Sequence, residues 1–303
     1  MLKDTLLYMA QNERLRDFVV QNKMTRSVAR RFVAGETLDD ATQAARVLNK
    51  RGIQVALDLL GENVSDERAA RASTQDYLTA IERVKQTGIG ANISVKLTAL
   101  GLDIAQELCE ENLVAILEQA GKYNIFVCID MEGSTYTQQT VDMTLRMHQR
   151  FEHVGTVIQS YLYRSRKDIE QLVANGVRVR LVKGAYKEPH TVAFQTKADV
   201  DRNYIQLMML LLSRGNFPAI ATHDEAIVEA VRKFARDHGI ARTAFEYQML
   251  YGIRRDLQDR LMQQGYNVRV YVPYGSQWYP YLMRRMAERP SNLMFVVSNA
   301  LRT

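Results

Sequence analysis

Eight short runs rich in β-branched and aliphatic residues recur along the chain, each followed by a stretch with helical patterning. The runs are 53–60 (IQVALDLL), 92–97 (NISVKL), 125–131 (IFVCIDM), 154–160 (VGTVIQS), 177–184 (VRVRLVKG), 218–223 (PAIATH), 243–250 (TAFEYQML) and 267–273 (NVRVYVP). The helical stretches that follow are 65–86, 103–121, 135–150, 165–174, 197–214, 224–238, 253–264 and 278–288. Strands buried on both faces read as near-continuous apolar runs, and strands alternating with helices make parallel βαβ units. Eight such units predict an α/β fold, a closed (β/α)8 TIM-type barrel, for which ~250 residues is typical. A doubly wound open sheet is the alternative. Residues 1–50 read as an N-terminal helical extension and 51–303 as one barrel domain, with no linker-like stretch between. Within the extension, TLDDATQAARVLNKRG (37–52) opens on a capping Thr followed by acidic residues, and carries Ala, Val and Leu at helical spacing.

Composition narrows the setting. An apolar fraction of 47% with 24% charged residues is that of a soluble globular protein. Two cysteines, Cys109 and Cys128, make no disulfide framework and fit a reduced compartment. The opening MLKDTLLYMAQNERL has too short an apolar run for a signal peptide. The longest aliphatic run, LMMLLL at 207–212, falls far short of the ~20 residues of a membrane span. A net charge of +6 would suit nucleic acid, an anionic membrane surface or an anionic ligand, but the lysines and arginines are dispersed, as on a mixed solvated surface.

In a barrel of this kind the chemistry sits at the carboxyl ends of the strands and in the loops after them. There the chain offers Asp58 with Gly61; Lys96 with Thr98; Asp130 with Glu132; Gln159 with Tyr161; Arg180 with Lys183, Gly184 and Tyr186; Thr222 with His223; Glu246 with Gln248; and Tyr271 with Tyr274 and Gly275. Lys96, pointing into the barrel, needs an anionic partner, so it is either half of a structural ion pair or a site residue. Asp130 and Glu132 fall on one face of their strand and read as a metal-type or acid/base carboxylate pair, unless Asp130 neutralises Lys96. Arg178, Arg180 and Lys183 break the apolar pattern of a buried strand, where a cation is expected to face an anion. Gly184 and Ala185 permit the close backbone approach that a large flat or phosphorylated cofactor requires. His223 is open to use as a base, a ligand or a packing residue. No HExxH and no Cys/His cluster occurs among the five histidines, so no metal site is expected. GIGAN (88–92) precedes a strand where a dinucleotide-binding turn would follow one. In YLMRRMAERP (281–290), Tyr281 neighbours both Arg284 and Arg285, three and four residues on. The pair is either a solvated face, with Arg284 matched to Glu288, or a planar grip on a small carboxylate.

Taken in order, LDLLGENV, SVKLTALGL, IDMEGS, VIQSYLYRS, VRLVKGAYKEP, IATHDEA, FEYQMLYGIRRDL and YVPYGSQWYPYLMRRMAERPSN span about Leu57 to Asn292. This series resembles the proline dehydrogenase family in its monofunctional bacterial form. The resemblance implies a barrel holding non-covalent FAD that oxidises L-proline to Δ1-pyrroline-5-carboxylate by hydride transfer to the flavin, with electrons passed to a membrane quinone. This is the first step of proline catabolism to glutamate. By motif, Arg284 and Arg285 match the pair that binds the proline carboxylate, with Lys96 near it. Asp130 and Tyr271 match the pair that shapes the proline site, and Leu250 and Tyr281 line the ring. Gln159, Arg180, Val182, Lys183, Gly184, Ala185, Tyr186, Thr222, His223 and Glu288 fall where the family contacts FAD. The loop between Tyr271 and the arginines looks shorter than in bifunctional relatives and carries Trp278. The resemblance further implies a cytoplasmic protein peripheral at the inner face of the membrane, no nucleic-acid partner, and release of the product to a separate pyrroline-5-carboxylate dehydrogenase. Two other classes remain open on the residues alone: a barrel lyase with Lys96 or Lys183 as Schiff-base nucleophile, and a basic binding protein without turnover.

Overall fold

The structure, a computed structural model, describes residues 30–288, the side chains of 286–288 excepted. The helices expected within 1–29 and the side chain of Glu288 lie outside the described residues. After a lead-in segment the chain runs α1 (Leu38–Asn49), β1 (Gln54–Leu59), α2 (Glu67–Thr87), β2 (Ala91–Val95), α3 (Gln106–Lys122), β3 (Val127–Ile129), α4 (Thr137–His148), β4 (Val154–Gln159), α5 (Ser165–Ala174), β5 (Arg178–Val182), α6 (Lys197–Arg214), β6 (Ala219–Ala221), α7 (Glu225–Asp237), β7 (Glu246–Leu250), α8 (Arg255–Gln263), β8 (Asn267–Tyr274) and α9 (Trp278–Glu288). The eight strands are parallel and close into a barrel in sequence order, β8 pairing with β1. The open doubly wound sheet is thereby excluded.

Local chemistry explains the helix limits. Thr37 and Asp40 form a capping box that starts α1. Asp66 accepts from the Ala69 backbone N–H to start α2, and Gly88, left-handed at φ 64°, ends it. GIGAN is thus a helix terminus leading into a strand. LMMLLL lies on α6, where Leu207, Met208, Leu211 and Leu212 are buried against the barrel and Met209 faces out. No described helix is long and apolar enough to cross a membrane.

The apolar core is the layer between strands and helices, with residues such as Val55, Leu57, Ile93, Val95 and Val127 facing outward. The alternate residues face the barrel axis, and many are charged. At the amino end of the strands, the Arg269 Nε donates to both oxygens of Glu246, at 3.0 and 3.1 Å, and its Nη1 to the Val55 carbonyl at 2.9 Å. Arg178 departs from the expectation that a cation in the barrel faces an anion. Its half-buried guanidinium lies 4.2 Å from the centre of the Phe126 ring and 4.7 Å from that of Phe217, a cation–π contact, and Glu246 acts on it only through its field, against the burial that lowers it.

Candidate active site

Register brings the opposite, carboxyl ends of the strands to one level. Asp58 of β1 is level with Ser94 of β2, and Ala56 with Tyr271 of β8. β2 ends at Val95 and β3 at Ile129, so Lys96 and Asp130 each stand one residue past a strand, at the barrel mouth. Four of the expected residues meet there. Asp130 accepts from the Arg180 Nη1 at 2.8 Å and from the Tyr271 hydroxyl at 2.6 Å. Lys96 lies 3.8 Å from Asp130. Arg180 also donates to the Ser94 hydroxyl at 3.1 Å, and its guanidinium lies 5.3 Å from the centre of the Tyr271 ring.

Lys96 has a closer partner. Its ammonium donates to Asp58, which is almost wholly buried. Two cations, Lys96 and Arg180, thus face two carboxylates, Asp58 and Asp130, in a dry cluster. Burial alone would push the Lys96 ammonium down, but Asp58 and Asp130 hold it well above the usual lysine range, so it is charged at neutral pH. Burial and the neighbouring Asp130 raise the Tyr271 phenol well above its usual range, which keeps it a donor to Asp130. Lys183 is likewise engaged, 2.9 Å from Asp224 and also paired with Asp201. A Schiff-base nucleophile must be an amine free to attack; both lysines are held by carboxylates, and the lyase reading loses its support.

Glu132 does not act with Asp130. It accepts from the Thr98 N–H at 3.2 Å and from the Thr98 hydroxyl, and burial raises its carboxyl above the usual range. Because β3 stops at Ile129, strand alternation no longer holds at 132, and the expected carboxylate pair separates into two roles. The Thr98 hydroxyl also accepts from the Asn63 N–H at 3.0 Å, so Glu132 and Thr98 clip the first three loops together.

Arg284 of α9 donates to Glu62, in the loop after β1, at 2.7 Å, and lies 5.9 Å from the centre of the Tyr186 ring, in the loop after β5. Strands one and five stand on opposite sides of an eight-strand ring, so Arg284 roofs the mouth. Burial would lower its guanidinium, but Glu62 outweighs burial and keeps it charged. Arg285 lies 5.1 Å from the centre of the Tyr281 ring, the i,i−4 neighbour expected from the sequence. Leu250, half-buried at the end of β7, donates its N–H to the His223 Nε2 at 2.9 Å. That bond puts the neutral His223 proton on Nδ1.

The remaining expected residues other than Glu288 belong to β4–β6 and the loops after them, and their features suit a large polar ligand. The side-chain oxygens of Gln159 and Gln248 and the Nε of Arg180 are buried without a hydrogen-bond partner among the described residues. Such orphaned groups call for a partner supplied from outside the chain. Gly184 has φ +117°, and a Cβ on it would overlap the Tyr161 ring. Val182, Ala185 and Tyr186 are half-buried beside it, and Thr222 is buried with its hydroxyl accepting the Asp224 N–H at 3.0 Å. Glu188, absent from the sequence expectations, ties this loop to the loop after β3 by accepting from the Ser134 N–H at 2.7 Å and from its hydroxyl. Glu62 was likewise absent. Asp58 was visible at a strand end, but nothing in the sequence pairs it with Lys96. No group of His, Cys, Asp and Glu fit to hold a metal occurs among the described residues.

Known proteins are similar to this chain in sequence and in architecture. The sequence profile described as proline dehydrogenase matches residues 41–298. Proline dehydrogenase 2 of Bacillus subtilis (strain 168) is 42% identical over 293 residues, covering 97% of this chain and 96% of that one. Proline dehydrogenase of Deinococcus radiodurans is 45% identical over 281 residues, 91% of each. The bifunctional protein PutA of Escherichia coli (strain K12) is 28% identical over 316 residues, 89% of this chain but 24% of that protein. The crystal structure of proline utilization A from Bdellovibrio bacteriovorus, inactivated by N-propargylglycine, superposes with a TM-score of 0.83 at 23% identity, over 94% of this chain and 38% of that one. At that identity the likeness speaks for the fold.

Proposed function

The chain belongs to the proline dehydrogenase family, and from that premise we propose that this proline dehydrogenase is FAD-dependent and converts L-proline to Δ1-pyrroline-5-carboxylate. The observation that carries the reading is the closed mouth in which Lys96, Asp130, Arg180 and Tyr271 meet beneath Arg284. Bound FAD would accept the hydride that leaves the proline carbon next to nitrogen. Gln159, Arg180, Val182, Lys183, Gly184, Ala185, Tyr186, Thr222, His223 and Glu288 would hold it; the orphaned atoms of Gln159 and Arg180 and the bare backbone at Gly184 support this. The Lys183 side chain contributes by fixing its loop to Asp224.

Arg284, Arg285 and Lys96 bind the proline carboxylate and so fix the ring. Their charge favours the neutral amine by like-charge repulsion, and a neutral nitrogen lone pair is what stabilises the forming iminium. Asp130, oriented by Arg180 and Tyr271, shapes the floor of the proline site, and Leu250 and Tyr281 border the ring. Arg180, kept charged inside the barrel, stabilises negative charge that develops above it.

A membrane quinone is the proposed electron acceptor, reached from a cytoplasmic, peripheral position, and a separate pyrroline-5-carboxylate dehydrogenase the consumer of the product. The visible spectrum of the purified protein tests the core of the reading. A bound flavin that bleaches when L-proline is added without oxygen is expected; a colourless protein, or a flavin indifferent to proline, would refute it.

A further inference from the structure

Trp278, the chain's single tryptophan, is the first residue of α9 and is buried. Its indole N–H donates to the Glu36 Oε1 at 3.2 Å. Glu36 belongs to the lead-in segment before α1, a part of the chain to which the family motifs assign nothing. That segment is strapped across the last loops of the barrel. The Ala34 N–H donates to the Pro273 carbonyl at 2.9 Å, and the Gly275 N–H to the Gly35 carbonyl at 3.0 Å. Phe32 and Val33 beside them are each 2% exposed. At Gly252, after β7, a Cβ would overlap the Arg31 carbonyl, so the strap runs in contact with that loop as well. Its far end is fixed by the capping box one residue beyond Glu36.

We propose that Glu36 is a positioning residue that, through the Trp278 indole, sets the angle at which α9 delivers Arg284 and Arg285 to the barrel mouth. The proposal rests on the reading that this pair receives the substrate carboxylate. Arg285 follows Trp278 by seven residues, two turns of helix, so the two side chains leave α9 within ~20° of one another and ~10 Å apart along the axis. A tilt of ~10° at the indole therefore moves Arg285 by about 2 Å, and misplacement of ~1 Å in a binding constellation costs up to ~100-fold. A cavity of about 230 Å³, lined by Val33, Gly35, Glu36, Thr37 and Asp40 among others, adjoins Trp278. On that side the bond to Glu36 is the directional contact that selects the position of the ring.

The test uses the holoenzyme and three variants: Glu36→Ala, which removes the acceptor; Glu36→Gln, which keeps one; and Trp278→Phe, which keeps a ring but removes the donor. Glu36→Ala and Trp278→Phe are expected to raise the KM for L-proline about tenfold, with flavin content unchanged and kcat lowered less. Glu36→Gln should stay within about twofold of wild type, and the double variant Glu36→Ala/Trp278→Phe should be no worse than either single one. Calorimetric titration with cyclopentanecarboxylate, a ring carboxylate without the amine, should weaken in parallel, and the emission of the lone tryptophan should shift to the red in Glu36→Ala. An unchanged proline KM in Glu36→Ala, a lowered Tm with no change in KM, or Glu36→Gln as impaired as Glu36→Ala would each overturn the proposal. If wild type itself fails to bleach with proline, the functional reading fails. If wild type bleaches and the variants keep its KM, only the positioning role fails.

Discussion

Asp58 is where the geometry makes its strongest demand on stability. In Asp58→Asn the side-chain volume stays, the carboxylate charge goes, and the Lys96 ammonium keeps only Asp130, 3.8 Å away and already engaged by Arg180 and Tyr271. At an effective dielectric of ~20 a pair at that distance is worth about 4 kcal/mol before desolvation, so Asp130 offsets part of the loss. Breaking a buried pair from one side usually costs ~3–5 kcal/mol, and the remaining contact places the expected cost near the bottom of that range, about 3 kcal/mol. For a chain of this size that lowers Tm by roughly 6 °C. The pH dependence follows from the direction of the Lys96 shift. Its folded pKa is raised above the ordinary lysine value, so its contribution is complete at neutral pH and is lost only as pH rises through the elevated folded value. In Asp58→Asn that pKa falls, and the loss should move to lower pH. Urea denaturation of wild type, Asp58→Asn, Lys96→Met and the double variant, each from pH 6 to pH 10, provides the assay. The double variant should be more stable than the sum of the single losses predicts, by about 2 kcal/mol or more. Strict additivity, or an Asp58→Asn protein within about 0.5 kcal/mol of wild type, would refute the reasoning.

Four further outcomes are expected. Arg285→Met should raise the KM for proline and depress kcat in steady-state assays, because a charged anchor and the positioning of the ring are lost together. Gly184→Ala, with φ +117° and no space for a Cβ beside Tyr161, should purify with less flavin per chain by visible absorbance and melt at a lower temperature, the strain costing ~1–3 kcal/mol. Burial pushes the thiols of Cys109 and Cys128 up to about 12 and about 11, so iodoacetamide at pH 8 should label neither until denaturant is added, as mass spectrometry would show. For Asp224, burial would raise the carboxyl, but Lys183 and Lys197 outweigh it and bring it down to about 2. Its stabilisation is then present above the unfolded value of ~4 and lost as pH falls toward 2, so Lys183→Met should unfold at a higher pH during acid titration followed by circular dichroism.

The fold was legible because parallel barrel strands announce themselves as short apolar runs, and all eight appeared. The disagreements at strand ends have one physical cause. The runs 125–131 and 218–223 are seven and six residues long in sequence, yet β3 and β6 hold only Val127–Ile129 and Ala219–Ala221. Their last residues leave the ladder to serve the mouth: Asp130 meets Arg180, and His223 accepts from Leu250. Composition says strand there while the backbone has already turned into the site. Side-chain direction was readable for Lys96 and Arg180, which were expected inside the barrel, whereas Asp130 and Tyr271 were placed at strand ends and given their shared site by motif. Partnership between strands was not. Lys96 and Asp58 are 38 positions apart, and Arg284 and Glu62 are 222 apart. Alternation shows which way a residue points but not its height relative to a neighbouring strand, and that height decides which carboxylate a lysine meets.

The register also explains why a barrel interior filled with ions makes a good floor for a small anionic ligand. Hydrophobic side chains of equal volume would fill the axis at no loss of stability, so the charged filling has to be understood through what it does at the mouth. Lys96 and Arg180 could not sit there desolvated on their own; Asp58 and Asp130 meet that cost within the protein before any ligand arrives. A ligand carboxylate that enters beneath Arg284 then encounters donors already dehydrated and already aimed. Free lysine and arginine would first have to be ordered and stripped of water. The amino-end pair Arg269–Glu246 continues the same filling below, so the carboxyl-end cluster rests on side chains that are fixed by their own hydrogen bonds. Preorganisation of this kind lowers the reorganisation needed when charge moves at the site. It also makes the cluster intolerant of single charge deletions, which is why Asp58, whose part is to hold Lys96, should be as sensitive to substitution as the residues it supports.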